Sequence, residues 1–109
     1  MTVEEVRELI RAQSVDRLAT TNDHRISLKQ ALIPPQKISV IARLVERGKV
    51  KDQTVNVWLV GQESSGDGYR IIMREDGSAF GLASGGFPTD KHLMLVGWYG
   101  DLVSAFVNM

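Results

Sequence analysis

Chemistry in this 109-residue chain would have to come from few residues. The only histidines are His24 and His92, and His92 lies two positions after Asp90. An Asp-x-His pair in a loop can orient an imidazole for general base work or offer two ligands to a metal. With no cysteine in the chain, a metal would need a further converging ligand, and a hydrolase would need a nucleophile and an oxyanion donor that the sequence does not place. A hydrolase or ligand-binding protein using Asp90, His92 and Asp101 is therefore the third reading, and no metal site and no cofactor is expected.

The stretch "GLASGGFP" over 81–88 raises a second possibility. Gly81 and Gly86 match the first two glycines of the G-x-x-x-x-G-K-[ST] phosphate loop, but Phe87 and Pro88 stand where lysine and a hydroxyl residue are needed. A phosphate loop also needs a helix opening directly after it, and "PTDKHLMLVGWY" reads as extended. The glycines are read instead as a turn between strands, with Phe87 packing beside Pro88. "GWYGD" over 97–101 is the most concentrated feature. In a strand, adjacent Trp98 and Tyr99 point to opposite faces, so that one can anchor a core while the other presents an amphipathic ring.

Positive charge gathers elsewhere. Lys37, Arg43, Arg47, Lys49 and Lys51 outnumber Glu46 and Asp52 over 35–52. Between a short helix and a hairpin, that segment resembles in outline a winged helix-turn-helix, whose second helix would contact nucleic acid. The two prolines where a turn usually carries glycine, and the neutral whole-chain charge of 13 basic against 13 acidic residues, weigh against it. Charge is split along the chain: residues 1–52 carry ten basic and seven acidic groups, residues 53–109 three and six. Such a dipole fits self-association or an acidic partner as well as scattered solvated charge.

The elements that must position these residues follow from periodicity. Thr2 and Glu5 have capping-box spacing, and Val3, Val6, Leu9 and Ile10 form one apolar stripe, so a helix is expected from Thr2 to about Gln13. "TTNDH" reads as a loop. Ser27 and Gln30 form a second box over a short turn that Pro34 ends. Pro35 fits the first position of another helix, Ile38, Ile41, Leu44 and Val45 give it an apolar face, and Gly48 can close it, so a helix is expected over 35–47. After Gly48 the period changes to two. "TVNVWLVG", "YRIIMRE", "SAFGLAS" and "HLMLVGWY" read as strands, with Asp76-Gly77 in a tight hairpin between the second and third. Gly81 suggests that another element lies close against its backbone. A short helix behind an Asp101 cap is favoured for the C-terminus.

The expected fold is a single α+β domain over 1–109: two or three N-terminal helices on one face of a four-stranded antiparallel β-meander, with a short C-terminal helix. No apolar run reaches 18 residues and the N-terminus is amphipathic, so a cytoplasmic protein with no membrane partner is expected. Lacking a complete catalytic set, the chain is read first as a non-enzymatic interaction domain. It would bind a protein partner, or itself as a homodimer, through a sheet surface or edge near 84–101, with Trp98, Tyr99, Phe87, Asp101 and His92 as contacts. The alternative is a nucleic-acid-binding regulator using Lys37, Arg43, Arg47, Lys49 and Lys51.

Overall fold

The computed structural model describes residues 1–63, 68–85 and 93–109. Its element order is α1 (Val3–Ser14), α2 (Leu28–Ala31), β1 (Leu32–Glu46), β2 (Lys49–Gln62), β3 (Arg70–Arg74), β4 (Phe80–Gly85), β5 (Leu93–Gly100) and α3 (Leu102–Val107). The five strands close into a barrel in sequence order. Neighbours along the chain pair antiparallel, and β1 closes on β5 in parallel through Val40–Leu93 and Ile41–Met94. Parallel closure is forced, because the first and fifth strands of an up-and-down meander run the same way.

This architecture corrects the expected helices on a four-stranded meander, and the error is local. Residues 35–47 are not a helix but most of β1. Ile38, Ile41 and Val45 satisfy a helical stripe, but Ile38, Val40 and Ala42 satisfy strand alternation as well. Four β-branched residues in this run, Ile38, Val40, Ile41 and Val45, lose less in a pleated strand than in a helix. The deciding factor is the partner. β1 and β2 pair from Gln36–Leu59 to Glu46–Lys49, so every residue from Gln36 to Glu46 gains a cross-strand neighbour. Pro34 and Pro35 start no helix. They lie where the β1–β2 register shifts between Leu32 and Gln36, at an interruption that needs no donor from them. Gly48 does take a left-handed conformation (φ 77), but beside Arg47 (φ 50) it forms the two-residue turn of a hairpin rather than a helix cap.

Other elements follow the sequence closely. The Thr2–Glu5 and Ser27–Gln30 capping boxes are both formed, over α1 and the single turn of α2. In the hairpin between β3 and β4, the Asp76 carboxylate accepts from the Ser78 N–H at 2.9 Å. Asp101 caps α3, accepting from the Ser104 N–H at 2.7 Å, and the Leu102 N–H donates to Oε1 of Gln13 at 2.8 Å, tying α3 to α1.

Two apolar cores share one wall. The barrel interior draws on all five strands: Val40 of β1, Val57 and Leu59 of β2, Ile72 of β3 and Ala83 of β4 are buried there, with Leu93, Leu95 and Trp98 of β5 packed against them. The second core lies outside the barrel. Trp58 and Val60 of β2, Ile71 and Met73 of β3, and Phe80 and Leu82 of β4 meet Val6, Ile10, Leu28, Leu102 and Phe106 from the three helices. β2 from Val57 onward, β3 and β4 are therefore covered on both faces, which explains their near-continuous apolar runs. Among the described residues, no helix is long and apolar enough to cross a membrane.

Candidate functional site

The β1–β2 ladder outruns the barrel. β1 meets β5 only at Val40 and Ile41, and β2 meets β3 only from Val57 onward. Residues 42–56 therefore form a two-stranded arm whose outer edges pair with no other described strand. At about 3.4 Å per residue, the five residues beyond Ile41 carry its tip some 17 Å past the last β5 contact. The principal extents of 44 × 29 × 22 Å record this elongation.

Register assigns the side chains of the arm to faces. One face carries the Arg43–Asp52 pair and, nearer the tip, Val45 opposite Val50; the other carries Leu44 opposite Lys51 and Glu46 opposite Lys49. Arg43 Nε donates to Oδ1 of Asp52 at 2.9 Å, and this hydrogen bond holds the Asp52 carboxyl below its ordinary range. Lys51 reaches Glu46 at 3.7 Å. Val45 and Val50, 74% and 62% exposed, leave an aliphatic pair in water, with Leu44 on the opposite face at 49%. Arg47, in the turn, and Lys49, directly after it, make no ion pair with a described residue.

The basic candidates thus divide. Arg43, Arg47, Lys49 and Lys51 come together on the arm, whereas Lys37 lies at its base. Its Nζ sits 5.3 Å from the centroid of the Trp58 ring and 3.8 Å from the Glu75 carboxylate, which ties it to the fold. Periodicity did not reveal the arm, because the apolar spacing over 35–47 reads as a helical stripe and hides its first strand. Its signal is the polar stretch "RGKVKDQ", too hydrophilic for a barrel wall on either face.

Trp98 and Tyr99 do lie on opposite faces of β5. Trp98 packs against the barrel interior and Tyr99 against the outer core, both half-buried. Trp98 crosses Gly81, where an added Cβ would strike the Gly97 carbonyl and come within 2.7 Å of the indole; the close approach expected at this glycine is β5 itself. Arg74 covers the Trp98 ring at 4.3 Å. Asp101 serves α3 as its cap, and its carboxyl is held below the ordinary range chiefly by the Ser104 N–H. Gly86, Phe87, Asp90 and His92 lie outside the described residues.

A second feature escaped sequence reasoning because its residues are far apart in the chain. His24, Glu63, Gly68, Tyr69 and Ser84 line a cleft of about 250 Å³. His24 is presented by a tight turn in which Oδ1 of Asn22 accepts from the N–H groups of His24 and Ile26. Its Nε2 lies 3.8 Å from Oε1 of Glu63. Among the described residues, His24 makes no hydrogen bond to the Ser84 hydroxyl, so these groups form no nucleophile–base relay. No group of three potential metal-ligating His, Asp or Glu side chains occurs among the described residues.

Comparison with known proteins finds no matching family model, no matching curated protein and no matching solved structure.

Proposed function

We propose that this chain is a binding module whose contact element is the β1–β2 arm, and that it engages a protein partner by adding a strand to the edge of the arm. The carrying observation is the combination at residues 42–56 of ladder edges unpaired by any described strand with three aliphatic side chains left in water. Unpaired backbone donors and acceptors supply affinity in strand addition, and alternate side chains supply specificity. Val45 and Val50 are the anchors on one face, Leu44 on the other. A second copy of the chain is one protein that could take this place. Trp98 and Tyr99 offer less, since each is half-buried against a core.

The test compares wild type with a Val45→Asp/Val50→Asp double variant and, separately, with Tyr99→Ala. Sedimentation across protein concentrations reads self-association, and cross-linking with mass spectrometry reads contact with other proteins. A partner whose cross-links map to residues 42–56, lost in the double variant and kept in Tyr99→Ala, supports the reading. Contacts that survive the double variant overturn it.

A second reading is favoured by one specific observation. Arg47 and Lys49 stand at the tip without an acidic partner among the described residues, about two screening lengths from the barrel at physiological salt. Whole-chain neutrality does not describe the field there, and a two-stranded ribbon fits the major groove of duplex DNA. Under this reading Arg47→Ser/Lys49→Ser abolishes a salt-sensitive mobility shift with duplex DNA, and a wild type that gives no shift at low salt rules it out.

A further inference from the structure

The cleft beside His24 lies apart from the arm and has a chemistry of its own. One of its lining residues is Glu63, whose side chain is only 14% exposed. The one charged group that the described structure sets against it is the half-exposed His24 imidazole, and 3.8 Å is beyond hydrogen-bonding distance. A carboxylate so far withdrawn from water is costly unless a cation or a set of donors meets it.

The surroundings are shaped around that carboxylate. An added Cβ at Gly68 would fall on Oε2 and Cδ of Glu63, so the carboxylate rests against bare backbone. That backbone is fixed in turn, because the Glu63 N–H donates to the Tyr69 carbonyl at 3.4 Å and Arg70 Nη1 donates to the Gly68 carbonyl at 3.3 Å. Tyr69, 38% exposed, and Ser84 also line the cleft. A volume of about 250 Å³ suits one functional group on a short apolar stem rather than a nucleotide.

We infer that this cleft binds a small organic cation, an alkylammonium or alkylguanidinium group, with the Glu63 carboxylate as its counter-ion and the Tyr69 ring as its wall. The carboxylate gains charge-assisted hydrogen bonds that no described residue gives it, and the aromatic face attracts the cation as it enters. This site does not depend on the arm, so either proposal can fail without the other.

The probes are n-butylguanidinium and its uncharged isostere n-butylurea, titrated into the full chain while amide shifts of Gly68, Tyr69 and Ser84 are followed by NMR. A saturable shift with the guanidinium and none with the urea is expected. Glu63→Gln weakens binding by about tenfold or more. Gly68→Ala also weakens it, because its methyl takes the place of the carboxylate, and Tyr69→Leu does so by loss of the aromatic wall. Equal binding of the urea, unchanged binding by Glu63→Gln, or no saturable shift with the guanidinium would each overturn the inference. The comparison of charged with uncharged probe on wild type needs no variant, so a misfolded substitution leaves the test intact.

Discussion

Gly81 owes its place to one indole. Trp98 of β5 lies across its backbone, so Gly81→Ala forces apart two strands on the inner wall of the barrel. Overpacking of a closed core of this kind costs roughly 1–3 kcal/mol. The melting temperature is expected to fall by about 5–20 °C, taking roughly 4–8 °C per kcal/mol at this size. Gly85→Ala is the control, since its added methyl meets nothing within 4 Å. Asp101 illustrates a different residue-scale effect. Its carboxylate caps α3 and its pKa is depressed in the folded state, so its contribution is present at neutral pH and is lost as pH falls through that lowered value. Asp101→Ala is expected to cost about 1 kcal/mol near pH 7 by chemical denaturation. The gap to wild type should narrow below about pH 4, where an unfolded aspartate takes up its proton.

The arm belongs to the scale of elements. Its distal residues Arg43–Lys51 are all exposed and take no part in either core, so joining the two strands by a short turn in their place removes little buried surface. The shortened chain is expected to melt within a few degrees of wild type by circular dichroism while losing every arm-dependent contact. How far elements were legible also depended on local signals. α1, α2 and α3 announced themselves through caps, since Thr2, Ser27 and Asp101 each satisfy the backbone of the turn that follows. β1 did not, because Ile38, Val40, Ile41 and Val45 fit either period and only β2, ahead in the chain, decides between them. The cleft was illegible for a related reason. His24 ahead of α2, Glu63 just past β2 and Ser84 of β4 meet only in the folded chain, and no spacing in the sequence encodes that meeting.

At the scale of the whole molecule, opening free energy should be graded along the long axis. Amides of Leu59, Ile72 and Leu82 lie in strands covered on both faces, whereas those near Arg47 sit in a ribbon with water on all sides. Hydrogen exchange is expected to be slowest in β2–β4 over 57–62, 71–73 and 80–83, and orders of magnitude faster over 43–51; uniform protection across both regions would contradict this gradient. The shared wall has a consequence for descent as well. A segment sealed front and back offers no side on which a polar replacement is harmless, so inherited change there must proceed by compensated swaps among aliphatic neighbours. The ribbon beyond it is under no such restraint, so its exposed positions can change in sequence while the barrel stays the same.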